Sequence, residues 1–259
     1  MRHVEEGRPI ALITGASRRR GIGAAISRAL AERGHDIAFT HWQPYDRDMK
    51  SADEDGPQAL AQELAAYSAR VSSIEIDLSE GAAASRLFDQ VETELGFPRV
   101  LVNNAAFSRH GGYQTLDAAT LDAHYAVNVR ATALLSVEFA RRWTGGLGGR
   151  IINLTSGQSL GPMPNELAYV ASKGAIEALT LSLSAGVAPL GITVNAVNPG
   201  PTDTGWMTPQ LKEALLPMFP FGRIGEAADA ARLVAFLASP DAAWITGQIL
   251  HSEGGFLRS

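Results

Sequence analysis

The sequence predicts an α/β fold, a doubly wound parallel sheet of about seven strands with helices on both faces. Three observations predict it. Apolar, β-rich runs alternate with helical patterns from one end of the chain to the other, which implies right-handed strand–helix–strand crossovers. Several of those runs are nearly continuous Ile, Leu and Val, as strands buried on both faces require. The first run is followed at once by a glycine-bearing turn, "TGASRRRGIG" at 14–23, and then by a helix. That arrangement marks a Rossmann-type fold.

The elements follow in order. "IALIT" (10–14), "DIAFT" (36–40), "VSSIEID" (71–77), "VLVNN" (100–104), "RIINLT" (150–155), "ITVNAV" (192–197) and "GQILH" (247–251) read as strands. Between them 21–33, 57–69, 80–95, 117–143, 167–190 and 226–238 carry apolar residues at three- and four-residue intervals and read as helices. The acidic stretch 45–56 reads as a solvated loop, and 204–222, rich in Pro, Met and Phe, as a mobile flap. No linker or repeat divides the chain, so a single domain over 1–259 is expected.

Composition narrows the function. A net charge of −5 argues against nucleic-acid or anionic-membrane binding. The absence of cysteine removes disulfides, thiol nucleophiles and thiolate metal sites, and no metal site is expected. The start has no apolar run of the secretory kind and no segment is long enough to cross a membrane, so the expected setting is the cytoplasm.

Two motifs carry chemistry. In the first, glycines at 15, 21 and 23 let backbone N–H groups approach a pyrophosphate at a helix N-terminus. A tight strand–helix turn with no ligand is the alternative reading. The loop has two more residues between its first two glycines than is usual, and three arginines, Arg18 to Arg20, fill it. In the second, Ser156 precedes Tyr169, and Lys173 follows four residues later. Tyr169 and Lys173 therefore project from one helix face. An ammonium beside a phenol favours the phenolate and lowers its pKa toward a useful range. With 19 arginines and three lysines in the chain, a lysine here is conspicuous; a compact ammonium hydrogen-bonds a ribose where a planar guanidinium fits badly.

Together with "NNAA" (103–106), "VNVRAT" (127–132), "TSG" (155–157), "YVASK" (169–173), "NPGPTDT" (198–204) and "ITGQILHSEGG" (245–255), these motifs resemble the short-chain dehydrogenase/reductase family over nearly the whole chain. The resemblance implies a catalytic set of Asn128, Ser156, Tyr169 and Lys173. Tyr169 would transfer the proton and Ser156 would hold the carbonyl oxygen. Lys173 would bind the nicotinamide ribose, and Asn128 would position a water relaying protons to it. It further implies a cofactor set of Gly15, Ser17, Arg18, Arg19, Gly21, Ile22 and Gly23 around the phosphates, and Asp77 and Leu78 at the adenine. Asn104, Ala105 and Ala106 would lie at the adenosine side, Pro199, Gly200 and Thr202 near the nicotinamide, and Thr204 on the phosphate side. Asn103 is expected to tie neighbouring strands. Ala106 departs from the glycine usual in the family.

The cofactor expected is NADP(H) in preference to NAD(H). Aligning "GHDIAFTHW" places His41 where NAD-preferring relatives keep an acid, and Arg18, then Arg19, are the candidates for a 2′-phosphate; alternatively, some of the arginines only solvate a surface bulge. The expected reaction interconverts a ketone and a secondary alcohol on a small molecule. Phe107, Ser108, Gln158, Met163, Pro164, Trp206 and Met207 are candidate lining residues. The alternative is a 3-oxoacyl-[acyl-carrier-protein] reductase. Leu147 and Leu190 stand where such relatives place docking cations, although Arg141, Arg142 and Arg150 lie nearby. A non-catalytic sensor of the same fold is a third reading, disfavoured by the intact Tyr–Lys pair. The apolar helices 117–143 and 167–190, and the family resemblance, predict a homotetramer, or at least a homodimer.

Overall fold

The structure, a computed structural model, describes residues 7–48, 53 and 55–256. Its centre is a seven-stranded parallel sheet in the order β3-β2-β1-β4-β5-β6-β9. The strands are β1 (Ile10–Ile13), β2 (Asp36–His41), β3 (Val71–Glu75), β4 (Val100–Asn103), β5 (Gly149–Leu154), β6 (Ile192–Asn198) and β9 (Ile249–His251). All seven fall within the expected runs or within a residue of them. The chain reverses winding direction between β1 and β4, which opens a crevice at the carboxyl ends of those strands.

Alternation of side chains across the sheet builds a core on each face. Ala11 and Ile13 of β1 face Ile26 and Leu30 of α1 (Ile22–Glu32), Leu60 and Leu64 of α3 (Gly56–Ala65), and Val234 and Leu237 of α9 (Ala227–Ala238). Leu12, between them, faces Leu87, Phe88 and Val91 of α4 (Ala83–Glu94), together with Leu135 and Phe139 of α6 (Thr132–Arg142). Each of these fully buried Leu, Ile or Phe side chains contributes roughly 1.5–3 kcal/mol by leaving water. The edge strand β3 alternates buried and exposed residues, whereas β5 and β6 are buried throughout.

The expected helix over 117–143 is three pieces: α5 (Ala118–His124), a π-helical segment (Tyr125–Ala131) and α6. Helix α7 (Leu167–Val187) continues into a 3-10 turn at Ala188–Leu190. The acidic stretch is not simply a solvated loop. Its start belongs to α2 (Gln43–Asp48), in which Gln43 and Asp46 are buried. Polar side chains hide this helix from an apolar pattern, because distant polar partners hold it. The rest of that stretch, 49–52 and 54, lies outside the described residues. Within 204–222 lie α8 (Pro209–Leu215) and a 3-10 turn at Leu216–Met218; β7 (Thr202–Asp203) pairs with β8 (Gly225–Glu226) and pins both ends of the segment. Among the described residues no helix is long and apolar enough to cross a membrane.

Candidate active site

The crevice is a cleft of about 1320 Å³ running from the glycine turn past α7 to Met218 and Phe256. Gly15 has φ +74°, and a Cβ there would lie 2.6 Å from Cα of Ala105. A Cβ on Gly23 would lie 2.5 Å from the Gly15 carbonyl oxygen. Both positions therefore need glycine. Asn104 closes the turn against β4, its Nδ2 donating to the carbonyls of Thr14 and Gly15 at 2.8 Å each. Helix α1 starts behind Gly21 with no side-chain cap and no acid in its first turn. Its N–H groups, the Cβ-free turn and the Lys173 ammonium fit a dinucleotide pyrophosphate and ribose.

The inserted arginines form a turn closed by Gly21 N donating to the Arg18 carbonyl at 2.9 Å. Arg18 lines the cleft, with Nε 3.5 Å from Oδ1 of Asp46. Arg19 does not enter the cleft, contrary to the expectation for it. Its Nε donates to Glu63 at 2.8 Å, and Glu63 also accepts from Arg28 Nε at 2.8 Å. Two neighbouring guanidiniums share that carboxylate, so Arg19 points away from the crevice. Arg19 and Arg20 line a separate groove between α1 and α9. His41 ends β2 and lines the cleft with Trp42, and burial lowers its pKa. Asp77 and Leu78 line the cleft at the end of β3, where Asp77 Oδ1 accepts from Ser79 N at 2.8 Å.

Ser156, Tyr169 and Lys173 come together on the opposite wall. Ser156 lies close enough to act on the Tyr169 hydroxyl, which burial pushes up to about 12. Lys173 is 4% exposed, and burial lowers its pKa to about 8. The ammonium was expected to lower the tyrosine pKa; burial of the phenol raises it instead. Lys173 Nζ donates to the Leu154 carbonyl at 2.7 Å and lies 5.6 Å from the Tyr169 ring centroid.

Asn128 lies in the π-helical segment, a register shift often found at functional sites. Its side chain is buried and does not line the cleft. Oδ1 accepts from Phe107 N at 2.7 Å, while Nδ2 donates to the Phe107 carbonyl and to Ser172 Oγ at 2.9 Å each. These bonds tie the loop after β4 to α7 and do not reach Lys173. Asn103 bonds Ser136 and Asn153, joining β4 to β5 and α6. Ala105, Ala106, Ser17, Ile22, Pro199, Gly200, Thr202 and Thr204 all line the cleft. Of the substrate candidates, Phe107, Ser108, Met163 and Trp206 line it; Gln158, Pro164 and Met207 do not.

Sequence reading missed α2 altogether. Tyr45 accepts from Ser108 N at 3.0 Å and lies against Phe107, with ring centroids 5.4 Å apart. Asp46 is hydrogen-bonded by the Ser17 side chain and faces Arg18. One short helix thus spans the crevice from the glycine turn to the loop after β4. Glu166 and His110 were missed too, and both line the substrate end. No spacing in the sequence could have found them.

A family profile described as enoyl-(acyl carrier protein) reductase matches residues 15–257. The chain is 54% identical to an uncharacterized oxidoreductase, YjdA, of Bacillus subtilis, over all of both chains. It is 32% identical to the 3-oxoacyl-[acyl-carrier-protein] reductase FabG of Staphylococcus epidermidis, covering 95% of this chain and 97% of that one. Among solved structures, a blue fluorescent protein from a metagenomic library in complex with NADPH superposes with a TM-score of 0.86 at 34% identity, covering 97% of this chain and 99% of the other. With the glycine turn, the cleft and the Ser–Tyr–Lys wall in place, the chain belongs to the short-chain dehydrogenase/reductase family of oxidoreductases.

Proposed function

We propose that this protein is an NADP(H)-dependent oxidoreductase interconverting a small ketone and its secondary alcohol. The observation that carries the reading is the meeting of Ser156, Tyr169 and Lys173 in one cleft with the glycine turn and Arg18. When bound, the nicotinamide supplies the hydride. Ser156 orients the carbonyl oxygen, and Tyr169 gives it a proton. Its hydroxyl is protonated at neutral pH and so can donate. Lys173, titrating near neutrality, is suited to hold a ribose hydroxyl and to resupply the proton. Arg18 is suited to a 2′-phosphate, which no carboxylate at position 41 would repel.

Tyr169→Phe tests the mechanism by deleting one hydroxyl. Turnover is expected to fall about 10²–10⁴-fold with cofactor affinity kept within a few-fold. Retention of more than about a tenth of kcat would remove Tyr169 from the proton path.

The likeness to FabG keeps a carrier-linked 3-oxoacyl substrate as the second reading. The surface disfavours it. Leu147 is 86% and Leu190 43% exposed where docking cations were sought. Arg142 is taken up by Asp89, Glu92 and Glu138, and Arg150 is buried, bonded to the carbonyls of Gly149 and Ser239.

A further inference from the structure

The substrate end of the cleft carries an acid that neither cofactor binding nor proton transfer uses. Glu166 stands immediately before α7, three residues ahead of Tyr169. Its carboxylate makes no capping bond to that helix. Its backbone is fixed by a bridge to Gly111, with Gly111 N donating to the Asn165 carbonyl at 2.7 Å and Leu167 N to the Gly111 carbonyl at 3.1 Å. The side chain, 24% exposed, faces the cleft, and its charge acts on the Tyr169 hydroxyl. His110 Nδ1 lies 3.5 Å away on a ring that is 75% exposed, an ion pair that solvent screens and that is charged only when the imidazole is protonated. The same cleft is also lined by the apolar side chains of Phe107, Met163 and Trp206. Arg109 does not line the cleft and is paired with Asp48.

We propose that Glu166 selects a small carbonyl compound bearing a hydrogen-bond donor, a hydroxyl or an ammonium, on the carbon beside the carbonyl, and disfavours carboxylates. The inference rests on the ketone-reductase reading above and names its substrate class. Glu166 lines the same cleft as Tyr169, just before the helix that carries it, and is close enough for its charge to act on the Tyr169 hydroxyl. A carbonyl held at Tyr169 therefore presents its α-substituent to Glu166. In a cleft shielded from water a carboxylate binds a donor by a charge-assisted bond and repels an anion strongly.

The test compares four methyl ketones that differ only in the group on that carbon: butanone, hydroxyacetone, aminoacetone and acetoacetate. kcat/KM is measured with NADPH for the wild type, Glu166→Gln and Glu166→Leu, and each value is divided by that enzyme's value for butanone. The division cancels any general effect on Tyr169, and comparing the ratios between enzymes cancels intrinsic carbonyl reactivity. In Glu166→Gln the aminoacetone ratio is expected to fall about tenfold and the acetoacetate ratio to rise about tenfold, each about 1.4 kcal/mol. The hydroxyacetone ratio is kept there, because the amide oxygen still accepts, and falls about tenfold in Glu166→Leu. Ratios unchanged by both substitutions overturn the inference and leave the ketone-reductase reading standing. If none of the four is turned over, that reading fails separately. The same ratios are then read as Kd by saturation-transfer NMR on the protein with NADPH, where unchanged ratios again overturn the role of Glu166.

Discussion

Arg18→Ala is the sharpest perturbation of the cofactor reading. Arg18 is the member of the arginine run that lines the cleft, and its side chain is about one-third exposed. Asp46, 7% exposed, holds it from behind through Nε at 3.5 Å. A guanidinium anchored by Nε still presents its terminal nitrogens to a phosphate. One charge-assisted hydrogen bond contributes roughly 1.5–3 kcal/mol, and each 1.36 kcal/mol is tenfold in rate. Removing Arg18 is therefore expected to lower kcat/KM for NADPH by about one to two powers of ten. NADH lacks the 2′-phosphate and should change by less than about threefold, since an exposed charge has little other effect on it. Arg19→Ala is the control. Its guanidinium is committed to Glu63 outside the crevice, so the NADPH-to-NADH ratio should stay at the wild-type value. The assay is steady-state kinetics with both cofactors on one ketone. A wild type equally efficient with NADH, or an Arg18→Ala enzyme that loses NADH and NADPH efficiency alike, would refute the assignment of Arg18 to the 2′-phosphate.

The remaining predictions concern Lys173, the acyl carrier and assembly. Lys173 has its pKa lowered from 10.5 to about 8, so between those values the unfolded chain binds more protons and stability rises with pH. Above pH 10 the raised pKa of Tyr169 acts in the opposite sense, since the folded protein then holds the extra proton. Lys173→Met removes a buried charge. It is expected to be more stable than the wild type at pH 7 by about 1–3 kcal/mol, with the gap closing toward pH 10, in urea melts across that range; a pH-independent gap would contradict the buried ammonium. A carrier-linked 3-oxoacyl substrate is expected to show no advantage over a small thioester, and a kcat/KM about tenfold higher for the carrier-linked form would reverse the ranking of the two functions. Light scattering at micromolar concentration is expected to give a homotetramer, or at least a dimer, because Leu181 on α7 and Trp244 are 63% and 98% exposed. A monomer mass would refute it.

The sequence by itself determined what depends on neighbours along the chain. The strand run at 10–14 is legible because a strand buried on both faces is nearly continuous in apolar residues. The Tyr169–Lys173 pair is legible because four residues make one helical turn. The glycine turn is legible because a backbone forced to φ +74° at Gly15 tolerates no side chain. The tertiary structure decided everything that depends on partners far away in sequence. Helix α2 shows no apolar period, yet forms because Tyr45 meets Ser108, 63 residues on, and Asp46 meets Ser17 and Arg18. Arg18 and Arg19 are adjacent and chemically identical; the position of Glu63 sends one outward while the other lines the cleft. Lys173 and Tyr169 look like a simple ion-assisted phenol until burial moves both pKa values in the directions that oppose charge. Asn128 and Glu166 take their places from a π-helical register shift and a bridge to Gly111. Ion pairs, desolvation and register shifts arise only when the chain closes on itself, and none of them leaves a period in the sequence.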